Sequence, residues 1–330
     1  MESFVSTGEG RSEKDQRAEA RPGASPSWPP LPLAQWQETY ATLHLWTQIV
    51  GKTRLSLSPM MNHWWQVTLY VTARGLTTSP MPSGFRSLEI ELDFIDHALV
   101  FRTSDGMVRS LALASRPVAE FYADYMTTLR DLGVSARFYP VPVELPAVIP
   151  FRDDCVHATY DPEAASRYFR ALVQVDRVFK QFRGRFSGKC SPVHFWWGAF
   201  DLACTRFSGR RAPAHPGGVP NTPDYVQQIA YSHECISAGW WPGSGPVAEP
   251  AFYAYAYPEP QGLPDARIEP AGATYNRELR EFIMPYEAVR TAEQPDDVLL
   301  DFLESTYVAA ADLAGWDRAS FDATSARLHH

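Results

Sequence analysis

The chain has 330 residues, 45% of them apolar and 21% charged, with a net charge of −8. That balance is ordinary for a globular protein with a sizeable core. With no lysine-rich run it argues against nucleic acid as a partner. No apolar run approaches the roughly 20 residues needed to cross a bilayer, so no membrane partner is expected either. Residues 1–25 lack an apolar segment of the secretory kind. Cys155, Cys190, Cys204 and Cys235 form no Cys-x-x-Cys pair and read as reduced thiols, so a cytoplasmic location is expected.

Residues 1–29 are charged, small and Pro-bearing, and read as a disordered tail. Trp36, Tyr40, Leu43, Trp46, Thr47 and Val50 then follow a three-and-four spacing, which predicts a helix stopped by Gly51. Trp64 to Arg74 reads as a strand, and Leu88 to Ile95 alternates apolar and acidic residues. Ala98–Thr103 and Met107–Ala114 form a hairpin around Ser104-Asp105-Gly106. Arg116-Pro117 opens a helix that ends near Leu132. The Pro-rich stretch 136–151 bridges to a helix capped by Asp161-Pro162-Glu163 and running to about Phe182. Further strands are expected at Phe195–Arg206, Gln228–Gly239, Ala251–Tyr257 and Glu281–Pro285, with a loop over Ser208–Asp224. A final helix runs from Pro295 to about Ala314.

One motif occurs twice. Ser58-Pro59-Met60-Met61-Asn62-His63-Trp64-Trp65 returns as Ser191-Pro192-Val193-His194-Phe195-Trp196-Trp197, each after a helix and a Gly-Lys or Gly-Arg step. The repetition predicts an α+β fold with an internal duplication: two antiparallel-sheet halves, each flanked by helices. The expected halves are 30–150 and 151–320, with a C-terminal tail at 321–330. A constant offset pairs Trp64 with Trp196 and Arg74 with Arg206. Strand parity then groups Asn62, Trp64 and Arg74 on one face, and His194, Trp196 and Arg206 on its equivalent.

These residues carry the candidate chemistry. His194 beside Arg206, Arg210 and Arg211 can hold an anion and exchange a proton with it; the alternative is a strand-end histidine with solvated arginines. His233 and Glu234 are further acid/base candidates, although strand parity sends them to opposite faces. Tyr253 and Tyr255 share a face and can stack on a flat ligand, as can Trp64 and Trp196; the alternative is the outer surface of a sheet. Glu89, Glu91 and Asp93 form an acidic ladder, its members roughly 7 Å apart, which reads as a cation site or as a wet sheet face. Cys and His spacing does not support zinc, and no nucleotide or protease motif occurs, so no metal and no cofactor is expected.

The strings His194-Phe195-Trp196-Trp197-Gly198-Ala199-Phe200-Asp201-Leu202, Thr205-Arg206-Phe207-Ser208-Gly209-Arg210-Arg211, Tyr70-Val71-Thr72-Ala73-Arg74-Gly75-Leu76 and Phe252-Tyr253-Ala254-Tyr255-Ala256-Tyr257-Pro258 resemble the domain-of-unknown-function family numbered 5996, over about residues 30–320. The resemblance implies a stand-alone protein and carries over no activity and no catalytic residue. The residues themselves suggest a binder of a polar or anionic small molecule with an aromatic or sugar-like face, and in an enzymatic version a histidine acid/base with arginine clamps. The rival expectation is a non-catalytic interaction module with an exposed aromatic face. Oligomeric state is not legible.

Overall fold

The computed structural model describes residues 27–244 and 247–322. The fold is α+β, with two antiparallel sheets of six strands each. The first half opens with α1 (Gln37–Leu57). Strands β1 (Tyr70–Val71), β2 (Gly75–Thr77), β3 (Met81–Ser83), β4 (Arg86–Asp93), β5 (Ala98–Thr103) and β6 (Val108–Ala112) follow, then α2 (Val118–Asp131). The second half opens with α3 (Pro162–Gly184), then β7 (His194–Trp196), β8 (Asp201–Arg211), α4 (Asp224–Ala230), β9 (His233–Trp241), β10 (Ala251–Tyr257), β11 (Thr274–Asn276) and β12 (Glu281–Pro285). Helices α5 (Tyr286–Arg290), α6 (Pro295–Leu313) and α7 (Arg318–Phe321) complete it.

Connectivity repeats between the halves. The first sheet runs β1-β2-β4-β5-β6 with β3 added beside β4, and the second runs β7-β8-β9-β10-β12 with β11 added at the edge. Each is a five-strand meander preceded by a long helix and followed by another. The first strands of the two sheets meet in a reciprocal bridge: Leu69 N–H donates to the Phe195 carbonyl, and Phe195 N–H to that of Leu69, both at 2.9 Å. An antiparallel junction of this kind is compatible with a pseudo-two-fold relation between the halves.

The repetition does not extend to residue register. The expected strand Trp64–Arg74 is instead a 3₁₀ turn at Asn62–Trp64, with left-handed φ of 58° at His63 and 63° at Trp64, then the short β1 and a tight turn ending at Arg74. The expected strand Phe195–Arg206 is broken by a hairpin loop over 197–200, where Phe200 has a φ of 60°. The parity count therefore fails across the loop. Asp201, not Leu202, shares a face with Trp196, and His194 and Arg206 lie on opposite faces.

Two further boundaries differ from expectation. Gly51 does not stop α1, which continues to Leu57. A Cβ at Gly51 would overlap the Trp197 ring, so the glycine serves a close approach. Residues 228–230, expected to begin a strand, instead end helix α4, which starts after Pro223, a residue lacking the N–H that a helix start leaves unused. Most of the expected tails, 1–26 and 323–330, lies outside the described residues. Within the described part, Trp28 is buried against Tyr286, Pro29 accepts from the Tyr286 hydroxyl at 2.9 Å, and Asp322 accepts from Tyr307 at 2.7 Å. The packed body thus extends beyond the expected limits of 30 and 320.

Helix α1 is buried on every side from Thr42 to Arg54. Trp46 stacks on Phe121 of α2 at 4.5 Å, and His44 Nε2 lies 2.8 Å from the Gly198 carbonyl of the β7–β8 loop, so α1 ties the halves together. In the first sheet, Leu88, Ile90 and Leu92 are fully buried. In the second, Phe195, Leu202, Cys204, Trp240, Phe252 and Phe282 form the buried face, to which α3 and α6 add Phe179, Phe302 and Leu303. The opposite face of the second sheet turns toward α1, α4 and the 139–149 segment, and there the packing opens. Among the described residues no helix is long and apolar enough to cross a membrane.

Candidate functional site

Cross-strand pairing defines that open face. Trp196 lies opposite Asp201, Ala203 opposite Gly239, and Gly239 opposite Tyr253, while Thr205, Ser237 and Tyr255 form the next row. The face is unlike its reverse: small residues on β8 and β9 leave room for large rings from β10. A Cβ on Gly239 would overlap the Tyr253 ring, which lies across β9 and donates its hydroxyl to Asp201 Oδ2. Tyr255 is hydroxyl-paired with Tyr231 at 2.6 Å, and Thr205 with Ser237 at 2.9 Å.

Two adjoining chambers of about 660 and 750 Å³ lie over this face and share Glu144, Gly198, Ala199, Asp201, Tyr253 and Tyr255 as walls. The first is acidic, with Glu281, Tyr40 and His44 completing it. The second is aromatic. Trp64 and Trp65 from one copy of the motif and Trp196 and Trp197 from the other all line it, with Lys52 and Tyr231. The repeated tryptophans are therefore brought together on a single cavity.

Three carboxyl groups in this space bind protons unusually tightly. Burial raises Asp201 to about 7, opposed in part by the Tyr253 hydrogen bond. Burial, then the charge of Asp201, raises Glu144 and Glu281 each to about 7. The Glu144 carboxylate rests on Gly198, where any side chain would displace it. Its backbone adopts a left-handed φ of 62°, which costs a non-glycine residue about 1–2 kcal/mol. The strain is held by Glu144 N–H to the Pro220 carbonyl at 2.9 Å and by Asn221 Nδ2 to the Leu145 carbonyl at 2.6 Å. Lys52 is 4% exposed and its ammonium lies 5.9 Å from the Trp197 ring; burial lowers it to about 8. The site thus places three carboxyl groups and a lysine, each shifted toward neutrality by burial, beside a wall of tryptophans.

Of the residues singled out from sequence, Trp64, Trp196, Tyr253 and Tyr255 line the cavity. The others do not. His194 is fully buried beside Trp65, Tyr70 and Trp196; burial, with Arg54 and Arg183 nearby, lowers it to about 3, and neither ring nitrogen has a hydrogen-bond partner. It stays neutral at physiological pH and has no path to a ligand. Arg206 points to the reverse of the sheet, 3.5 Å from the Phe182 ring centre and 4.2 Å from that of Tyr307, and pairs with Glu304 at 3.2 Å. Arg210 binds Glu234 at 2.7 Å and donates to the Ala314 and Gly315 carbonyls at the end of α6, while Arg211 is exposed. His233 sits edge-on to His63 at 5.5 Å. Asn62 is exposed, and Arg74 pairs with Asp93 and Asp96 at 2.5 and 2.6 Å. The expected cluster of His194 with Arg206, Arg210 and Arg211 does not form.

The acidic ladder is likewise occupied within the protein: Glu89 by Thr77, Glu91 by Thr72 and Arg102, Asp93 by Arg74. Among the described residues no group of three acidic, His or Cys side chains is arranged to hold a metal ion.

Sequence reasoning missed Glu144, Asp201, Glu281 and Lys52. Asp201 had a signal: it is the single charge in the apolar run 195–204. Glu144 had none, because it reaches the cavity from the Pro-rich bridge.

Searches among curated proteins and among solved structures returned no match. A scan against protein families matches residues 28–323, the span that holds both sheets and the cavity, and the chain belongs to the Family of unknown function (DUF5996).

Proposed function

We propose that this protein binds a small molecule in the double chamber, its flat face among Trp64, Trp65, Trp196 and Trp197 and its polar end among Glu144, Asp201 and Glu281. The observation that carries the reading is the convergence, on one cavity wall, of three carboxyl groups raised to about 7 with Tyr253 and Tyr255. Buried acids with such proton affinities cluster at functional sites. The ligand class favoured by these walls is neutral or cationic, rich in hydroxyl or amine groups, with an aromatic or sugar-like face. The arginines that an anion would need lie elsewhere. In an enzymatic version Asp201 and Glu144 exchange protons with the ligand, not a histidine. An interaction module would present its tyrosines outward; here they turn toward the cavity.

Native mass spectrometry of the purified protein, followed by tryptophan quenching with amine- and hydroxyl-bearing aromatic compounds, tests the reading. Loss of the hydrogen-bonding acid in Asp201→Asn should weaken binding about tenfold, as expected for about 1.5 kcal/mol at a charged partner. Quenching that is indifferent to Asp201→Asn and Glu144→Gln would defeat it.

A further inference from the structure

Of the 30 lysine and arginine residues only four are lysines: Lys14, Lys52, Lys180 and Lys189. Lys180 is exposed and pairs with Asp176 at 2.5 Å. Lys189 is exposed and lies 2.8 Å from His63 Nε2. Lys52 differs from both. It sits in the fully buried stretch of α1, lines the tryptophan chamber, and has no ion pair among the described residues. Its neighbour Gly51 lets the Trp197 indole lie directly on the helix, and Trp197 Nε1 is anchored to the Val67 carbonyl at 2.7 Å. The lysine is thus held over a fixed aromatic floor, in an enclosed space, without a carboxylate to keep it protonated. Lysines desolvated in apolar pockets are nucleophilic at neutral pH because much of the amine is uncharged.

We propose that Lys52 is a covalent attachment point whose neutral amine condenses with an aldehyde or ketone ligand seated between the tryptophans. This inference rests on the reading of the double chamber as a small-molecule site and names the functional group its ligand carries. The Nζ lone pair attacks the carbonyl carbon and the carbonyl π electrons move to oxygen; the ammonium nitrogen so formed gives up one proton and the oxygen takes one up, which gives a neutral carbinolamine. The C–OH bond then breaks and the nitrogen lone pair closes the C=N bond. Water leaves, and the nitrogen gives up the proton that balances the one spent on the leaving hydroxyl. Glu144 and Asp201, on the wall common to both chambers, are the groups of this cavity suited to pass that proton, since each is protonated about half the time near pH 7. The step consumes no oxidant and no reductant.

The test uses benzaldehyde with sodium cyanoborohydride on the full chain, followed by peptide mapping. Lys52 should carry the benzyl group roughly tenfold faster than Lys180 at pH 7.5, with a rate midpoint near its own value of about 8 and not near that of an ordinary lysine, about 10.4; Lys189, whose amine burial also lowers, is followed separately. Lys52→Arg keeps the charge and should abolish the fast label, with an unchanged circular dichroism spectrum reporting that the fold is intact. The wild-type measurement stands without that variant. Labelling of Lys52 no faster than of Lys180 overturns the proposal. Benzyl alcohol, which has the same ring but no carbonyl, separates the two readings. If it quenches tryptophan fluorescence while Lys52 stays unlabelled, the imine fails and the cavity reading survives. If it does not quench and Lys52 is unlabelled, both fail.

Discussion

Arg206 is the residue whose role changes most between sequence and structure. Beside a histidine and two more arginines it reads as an anion clamp. In the fold it is fully buried on the helix-covered face, with Nη2 donating to the Phe182 carbonyl at 2.5 Å and its guanidinium layered between Phe182 and Tyr307. Its planar, weakly hydrated head suits such stacking, where a lysine ammonium would not. Arg206→Ala removes a large buried side chain and the shorter of two hydrogen bonds to the Phe182 carbonyl, which keeps the one from Arg185 N–H at 3.2 Å. A loss of roughly 3 kcal/mol is expected in urea unfolding, without any effect on ligand quenching. Arg74, its counterpart by sequence offset, has a side chain 41% exposed, and Asp93 keeps the backbone N–H groups of Ile95 and Asp96 when Arg74 is removed. Arg74→Ala should therefore cost distinctly less. Equal losses would mean that the two arginines share one structural role despite their different surroundings.

At the scale of elements, the four long helices and the regular hairpins were legible, and the short helices and the turns inside the repeated motif were not. Asp161 caps α3 as the sequence suggests, its side chain accepting from Glu163 N–H at 2.9 Å. The strands Ala98–Thr103, Ala251–Tyr257 and Glu281–Pro285 coincide with expectation because alternation and flanking turns agree there. The motif misleads because tryptophan and its aromatic neighbours favour strands, while the chain at His63, Trp64 and Phe200 takes left-handed turns that only packing enforces. Half of the candidate site was legible for the same reason. Aromatic residues at alternating positions announce a face, whereas Glu144 and Lys52 reach the cavity from a bridge and a helix that carry no local sign of it.

Gly51 offers a test at this scale. In an exposed helix Gly→Ala stabilises by about 1 kcal/mol. Here the added methyl meets the Trp197 ring, and overpacking costs typically 1–3 kcal/mol. Gly51→Ala should lower the melting temperature and shift the tryptophan emission. A rise in melting temperature would show that Trp197 is free to move off the helix.

For the whole molecule, the cavity imposes a characteristic pH dependence on stability. Asp201, Glu144 and Glu281 have folded-state values of about 7, above the ordinary carboxyl values of about 4. Their favourable contribution is complete below about pH 4 and is lost as the pH rises through 7, because the folded state holds protons that the unfolded chain has already released. His44 and His194 act in the opposite sense. Burial lowers them to about 4 and 3, so their contribution is complete above the ordinary histidine value of 6.5 and is lost as the pH falls through those lower values. The two sets oppose each other between about pH 4 and 6.5. Above about 6.5 the histidine opposition fades, while toward pH 8 the acids lose their protons in the folded state too and Lys52, lowered to about 8, acts against them, so stability should climb as the pH is lowered mainly from about 7.5 to 6. Urea midpoints measured at half-unit steps from pH 5 to 8.5 should show the steepest change between about pH 6 and 7. Asp201→Asn mimics the protonated acid and removes its share, so the profile should flatten, with the variant gaining most on the wild type at pH 8 and least at pH 5. The three acids influence one another, so the wild-type transition belongs to the group and should be broader than a single titration. A wild-type profile that is flat from about pH 6 to 7.5, or one that Asp201→Asn leaves unchanged, would mean that water and counter-ions solvate the cavity carboxylates well, and that the double chamber holds no reserve of bound protons for catalysis.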